Sequence, residues 1–368
     1  MLAGVAELVD PALLAATPQD AAFHSEGDVW THTQMALAEL VTLPGYLAAD
    51  AHARDLLEAA VLLHDIGKPP MTRVDGDRIT SRGHSAKGEH LARVALWRAG
   101  VSFHDREHVC ALVRSHQVPM FGITRPDAAE LAIRLSLVTR NDWLATVAEA
   151  DARGRRCADP SDHARIIEHC QLWTEHCREL GVLDHPRAFA SDHTRRLWCE
   201  SPLWSPDVAA YDDTTCEVTL LSGLPASGKS SWLAAHPELP AVSLDDLRAE
   251  QGVDAGETPG TVIAAARERA RDYLRSGTAF VWNATNLTAA LRRQLVTFVR
   301  GYRARTRILY LEVAAAELAA RNRSRPSPVP GAVVERMLGR WSVPDPTEAH
   351  RVEHLIPSTP ASVFWPPE

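Results

Sequence analysis

The sequence predicts two domains of different class. An all-helical domain is expected over residues 1–205, a linker over 206–215, and an α/β domain with a parallel sheet over 216–368. Three observations predict it. From residue 28 to 200 apolar residues recur at three- and four-residue spacing, the period of helices packed on a core. After residue 215 short β-branched runs alternate with helical stretches, as in a sheet built from crossover units. Between them, Glu200–Thr215 carries Pro202, Pro206 and Asp212-Asp213, the composition of a linker.

A chain of 368 residues has the length of two ordinary domains, and 45% hydrophobic with 23% charged residues excludes a disordered one. No apolar run reaches the roughly 18 residues of a membrane span. Met1–Asp10 lacks the basic start of a secretory leader, so a cytoplasmic protein with reduced thiols is expected, free of any membrane.

The helical pattern covers 53–66, 88–98, 104–115, 127–139, 142–153 and 162–180, the last capped by Ser161-Asp162. A ribbon near Arg73–Thr80 would turn at Asp75-Gly76. In the second domain strands are expected at Val218–Leu221, Ala241–Leu244, Thr278–Trp282 and Ile308–Val313. Helices follow at 229–236, 257–276, 286–300, 315–323 and 332–341.

Charge divides the halves. Residues 1–215 hold 21 basic and 31 acidic side chains and fourteen of the 17 histidines, whereas 216–368 hold 18 and 16. A half rich in histidine and acid points to metal, and one with clustered arginine points to phosphate. Only three lysines occur, Lys68, Lys87 and Lys229, and two of them fall in motifs.

In the first half His64 and Asp65 end an apolar helix, followed by Ile66, Gly67 and Lys68. Neighbours on a helix point about 100° apart, so one ion takes both only where other helices add ligands. His32, His84, His116 and Asp151 stand at suitable places. Mixed imidazole and carboxylate ligation suits Mn, Fe, Co, Ni or Zn better than Ca. Lys68 and Arg153 either hold substrate phosphate or lie on the surface. His24, His52, His90, His104 and His108, and the pairs His169/Cys170 and His176/Cys177, read as ordinary helix residues. The ordered set His32, His64-Asp65, His84, His116 and Asp151 resembles the HD phosphohydrolase superfamily. That resemblance implies core ligands His32, His64, Asp65 and Asp151, with His84 and His116 holding a second divalent ion and Asp65 bridging. Two such ions would acidify a bound water and stabilise charge on a phosphoester.

In the second half Gly223–Ser230 spells G-x-x-x-x-G-K-S after a strand and before a helix, a phosphate-cradling loop for ATP or another NTP with Mg²⁺. Lys229 would reach the β/γ-phosphates and Ser230 the Mg²⁺, with Gly223, Ser227, Gly228 and Ser231 completing the cradle. Asp245, about 16 residues beyond the lysine at a strand end, is placed to take a proton from an acceptor hydroxyl, or to cap a helix. Arg248, one turn on, would hold an acceptor phosphate. Arg321 and Arg325, at i and i+4, would face one way as a lid over the transferred phosphoryl.

Gly223–Ser230, Asp245-x-x-Arg248, Asn283–Asn286 and Arg321-x-x-x-Arg325 together resemble the module of polynucleotide 5′-kinases. The resemblance implies Asp245 as general base, Arg248 on an acceptor phosphate and both lid arginines on the NTP. Asn283 departs from it, since that family often has an acid there. With the helical half, the chain resembles bacterial two-domain HD–polynucleotide kinases of RNA end repair. This implies removal of a 2′,3′-cyclic or 2′-phosphate, phosphorylation of a 5′-OH, RNA or DNA ends as substrate, and a separate RNA ligase as functional partner. Two rivals are a nucleoside or other small-molecule kinase fused to a nucleotide phosphohydrolase, and an NTP-gated regulator.

Overall fold

The computed structural model describes residues 2–76, 78–253 and 260–357. Contacts divide the chain into two compact units, Met1–Arg187 and Ala188–Glu368. The division falls ahead of the boundary expected at 205. The helix Asp192–Glu200 binds the second unit, where the His193 and His350 rings stack and Arg195 Nη2 donates to the His350 carbonyl.

The first unit is helical. Its long helices are Val29–Leu40, Ala51–Leu63, His84–Arg98, Phe103–Ser115, Asn141–Arg153 and Pro160–Glu179, with a shorter one at Ala128–Ser136. The 3.6-residue period is fulfilled in the core, where Leu56, Leu57, Ala60, Val61 and Leu63 are all fully buried. Cys170 and Cys177 are buried in the same way on the face of their helix that carries Trp173. That helix begins earlier than expected. Asp159, not Ser161-Asp162, is its cap and accepts from Ser161 N, because Pro160 suits the first helical position and its missing N–H costs nothing there. The ribbon is present as strands β1 (Arg73–Asp75) and β2 (Arg78–Thr80), antiparallel.

Two glycines let segments of this unit touch backbone to backbone. A Cβ on Gly67 would lie 2.1 Å from the His84 carbonyl oxygen and 2.5 Å from Gly88 N. One on Gly154 would lie 2.6 Å from Ala36 N. Backbone cannot yield as a flexible side chain does, so Gly67→Ala should cost about 2 kcal/mol or more. A thermal melt of the variant would show it as a lowered midpoint; an unchanged midpoint would mean the contact is slack.

Away from these contacts, Arg93 and Arg106 enclose Glu107. Arg93 Nε lies 3.0 Å from Oε2 and Arg106 Nε 2.7 Å from Oε1, all three residues being buried. Burial alone would raise the Glu107 carboxyl, but the two guanidiniums more than offset it and hold it down to about 2. A depressed acid contributes stability above its unfolded pKa and loses it as pH falls through the folded one. Acid melts should therefore show a loss between about pH 4.5 and 2 that Glu107→Gln, already destabilised at neutral pH, lacks.

The second unit is a five-stranded parallel sheet, ordered β4-β5-β3-β6-β7. Its strands are β3 (Cys216–Ser222), β4 (Ala241–Ser243), β5 (Phe280–Asn283), β6 (Ala304–Leu311) and β7 (Arg351–Leu355). Helices Lys229–Ala234, Leu244–Glu250, Gly260–Arg275, Ala289–Arg300, Ala315–Arg323 and Gly331–Leu338 connect them. The start of the helix expected at 257 lies outside the described residues. β3 is central, so the chain reverses direction across the sheet at its C-terminal end, where such folds bind ligands. Arg292, fully buried, spans Glu348 with both nitrogens (2.6 and 2.7 Å) and donates to the Asn286 and Ser342 carbonyls. No helix among the described residues is long and apolar enough to cross a membrane.

Candidate metal centre and phosphate loop

Five segments of the first unit bring their polar ends together. His32 comes from Val29–Leu40, whose N-cap Asp28 accepts from Thr31 N. His64 caps the C-terminus of Ala51–Leu63, and Asp65 follows it. His84 opens its helix, His116 closes Phe103–Ser115, and Asp151 lies within Asn141–Arg153. All six side chains are at least nine-tenths buried. Gly67 and Gly154 sit beside this convergence, seating the Asp65 turn on His84 and the Asp151 helix end on the His32 helix.

The imidazoles are aimed by their own backbone. Nδ1 of His64, His84 and His116 lies 2.6, 2.9 and 2.8 Å from the carbonyl oxygens of Val61, Ser81 and Val113, so each must donate there. His32 Nδ1 lies 3.0 Å from Glu26 Oε1. The rings of His64, His84 and His116 are thereby left with the lone pair on Nε2. Those lone pairs face one another and the carboxylates. His32 Nε2 is 3.3 Å from His64 Nε2 and 3.0 Å from Asp151 Oδ1, and His84 Nε2 is 3.5 Å from His116 Nε2. Asp65 spans both groups, with Oδ2 3.1 Å from His64 Nε2 and Oδ1 3.3 Å from His84 Nε2. Among the described residues neither Asp65 oxygen accepts a directed hydrogen bond.

Buried acceptors crowded against acceptors are unfavourable unless cations lie between them. Three trios among the described residues lie close enough to hold an ion: His32, His64 and Asp151, then Asp65, His84 and His116, both buried, and a third of His24, Glu26 and His32 that shares His32 with the first. The donor set is nitrogen and carboxylate oxygen, which suits a first-row transition ion. Burial pushes the His116 imidazolium down to about 3 and also lowers His84, keeping both as neutral ligands. For His64 burial acts the same way, but the Asp65 carboxylate alongside prevails and raises it. The Asp65 and Asp151 carboxyls, which burial would raise, are held low by His64 and Lys68 and by Arg155 respectively.

Lys68 Nζ lies 2.7 Å from Asp65 Oδ2 and donates to Gln19 Oε1 at 2.5 Å. Beside it a pocket of about 340 Å³ is bordered by His84, Lys68, Arg82, Arg155, Phe23 and Phe121. Arg153, expected near the ligands, pairs instead with Glu149 on a half-exposed face of its helix. Arg155, past the helix end, grips Asp151 with two nitrogens at 2.9 and 2.8 Å. His24, expected to be an ordinary helix residue, borders the pocket with its Nδ1 2.8 Å from Glu26 Oε1. Nothing in a helical period marks Arg155, His24 or Gln19; only the turns at 19–28 and 154–156 bring them in.

In the second unit the chain leaves β3 through Gly223, Ala226 and Gly228, all at positive φ. A Cβ on Gly223 would lie 2.3 Å from the Leu311 carbonyl oxygen. Gly228 caps the helix beginning at Lys229, whose Nζ donates to the Gly223 and Leu224 carbonyls at 2.8 Å each. Burial pushes this ammonium down to about 7, against the pull of Asp245. Ser227 is buried, and Ser230 and Ser231 are exposed at the first turn of that helix. The loop after β5 braces the cradle. Asn286, at φ 45°, donates to the Leu221 carbonyl at 2.7 Å, and Gly223 N donates to the Thr285 carbonyl. Asn283 reaches Ser243 Oγ.

Ser243, not Asp245, caps the helix after β4. Asp245 is thus exposed in the first turn, paired with Arg248. Arg321 Nη1 lies 3.6 Å from the position of a Cβ on Gly228. Arg325 does not extend that helix. The helix ends at Arg323 because Pro326 excludes the preceding residue from helical backbone, so the two arginines are not helical i,i+4 neighbours. Arg325 still lies close enough to Lys229 to depress it.

Residues 31–168 match the family model of the HD domain, and residues 218–344 match that of an AAA domain, AAA_33. No curated protein matches the sequence. Among solved structures, a candidate kinase from Chloroflexus aurantiacus is 18% identical over 39% of this chain and 86% of that one, with a TM-score of 0.33, too slight a likeness to argue from. The chain therefore joins a helical HD phosphohydrolase domain to a P-loop domain of kinase-like type with a five-stranded parallel sheet.

Proposed function

We propose that the protein heals broken RNA ends, its first unit hydrolysing 2′,3′-cyclic or 2′-phosphate ends and its second phosphorylating 5′-OH ends from NTP. One observation carries the reading: two buried ligand trios, with Asp65 of one reaching His64 of the other, lie beside a pocket with Lys68, Arg82 and Arg155, in a chain that also carries a phosphate loop flanked by Asp245, Arg248 and Arg321.

Divalent ions held by His32, His64, Asp65, His84, His116 and Asp151 would supply Lewis acidity and an acidified water. Lys68 and Arg155 hold the phosphoester's charge, and Gln19 and Asp65 fix the Lys68 ammonium. Hydrolysis breaks one ribose P–O bond of the cyclic ester, then the second, and releases inorganic phosphate. In the second unit Lys229, Arg321 and Arg325 neutralise the phosphates, with Mg²⁺ held by Ser230. Asp245 accepts the 5′-OH proton as that oxygen attacks the γ-phosphorus and the nucleoside diphosphate departs. Arg248, drawn off Asp245, binds the phosphate that follows the terminal nucleoside. The products suit a separate, cytoplasmic RNA ligase.

The test is one oligonucleotide with a 5′-OH and a 2′,3′-cyclic phosphate, incubated with NTP, Mg²⁺ and a panel of transition ions and read by mass spectrometry. Gain of a 5′-phosphate and loss of the cyclic phosphate are expected. Turnover of free nucleosides in preference to the oligonucleotide would transfer the reading to a small-molecule kinase.

A further inference from the structure

A second pocket, of about 370 Å³, opens in the P-loop domain away from the phosphate loop. Ala304, the first residue of β6, borders it, and Cys216, the first of β3, lies opposite Ala304 in the parallel register. The phosphate loop leaves the other end of β3, so pocket and loop are separated by the strand's length, about 20 Å.

Three arginines and two aromatic rings border this pocket: Arg196, Arg300, Arg303, Trp204 and Tyr211. Arg196 is only 8% exposed, and its Nε makes no hydrogen bond among the described residues. Its acidic partner, Glu200, stands 4.0 Å away and also pairs with Arg300, while Arg303 faces Asp213 at 3.9 Å. Three guanidiniums thus meet two carboxylates, and the most buried one is poorly paired. A guanidinium does not shed its charge, so this donor carries a desolvation cost that an incoming oxyanion relieves. Trp204 is 48% and Tyr211 88% exposed, leaving aromatic faces turned to water beside the cations. One wall is neutral by construction. Thr306 N donates to His350 Nδ1, so the His350 proton sits on Nε2 and is given to His193 Nδ1 at 3.1 Å.

Guanidiniums paired with open aromatic faces are how proteins hold a phosphate together with its base. We propose that this pocket binds a nucleoside phosphate, its phosphate on Arg196 and Arg300 and its base stacked on Trp204. The same chemistry arrives either as a free nucleotide or as one unit of a strand, remote from the end being processed. The site shares no residue with either catalytic reading, and no single stretch of sequence displays it.

The full chain, its phosphate loop filled with a non-hydrolysable ATP analogue and Mg²⁺, is titrated with AMP and separately with a ten-nucleotide RNA by calorimetry. Trp204→Ala and Arg300→Ala alter exposed side chains, and a thermal melt verifies their folding. Trp204→Ala should weaken binding roughly five- to hundredfold, and Arg300→Ala should weaken it and flatten its salt dependence. Losses confined to AMP identify a free-nucleotide site, and losses confined to the RNA identify a strand site. Unchanged affinity of both probes in both variants overturns the proposal. Binding is read without turnover, so a failed kinase assay would leave this outcome interpretable.

Discussion

An Asp65→Asn variant is expected to lose hydrolysis of cyclic phosphate ends by roughly a thousandfold or more while 5′-phosphorylation continues. Asp65 reaches both ligand groups at short range, 3.1 Å from His64 Nε2 and 3.3 Å from His84 Nε2, whereas Asp151 reaches His116 only at 3.9 Å. The amide keeps the volume but removes the negative charge that offsets two dications, and half of its acceptor atoms. Metal content by mass spectrometry should fall from two ions per chain toward none. The kinase, on the same polypeptide, reports that the chain still folds. A variant that retained both ions and full hydrolysis would sink the shared-ligand assignment.

The second large effect is expected from Lys229→Ala, with the roles reversed. Kinase activity should drop at least about a hundredfold and hydrolysis should persist. The ammonium sits over the loop, donating to the Gly223 and Leu224 carbonyls, where the terminal phosphates of a nucleotide would draw it away. Those phosphates would also raise its pKa from about 7, so nucleotide binding should take up protons near neutral pH. Calorimetry in buffers of different ionisation enthalpy would register this uptake in the wild type and its loss in Lys229→Ala. Gly223→Ala should be as damaging by another route, since a Cβ would run into the Leu311 carbonyl.

Much of this was legible in the sequence because helical period and loop glycines are local signals. The apolar faces of 53–66 and 142–153 and the turn at 223–230 follow from neighbouring residues. What escaped depends on contacts between distant segments. Strand β7 is Arg-Val-Glu-His-Leu, too charged to read as a strand, yet at the sheet edge its Glu353 pairs with Arg307 of β6. Arg153 is the arginine the sequence offers beside the ligands, but the helix ends there and Arg155, beyond it, is the one that turns onto Asp151. The i,i+4 pairing expected of Arg321 and Arg325 needs helical backbone through Arg325, which Pro326 excludes. The Arg196–Trp204–Arg300 cluster draws on segments about a hundred residues apart, beyond any periodicity.

Three of the histidines facing Asp65 and Asp151 are tethered to a carbonyl three residues before them, so their orientation is decided within a single turn of chain. The cage is preassembled rather than drawn shut by its cargo. Ions can then exchange without the protein unravelling, and occupancy adds thermal resistance by mass action alone. Chelation should leave a melted midpoint that is lower but still cooperative, unlike a zinc finger, which falls apart when stripped.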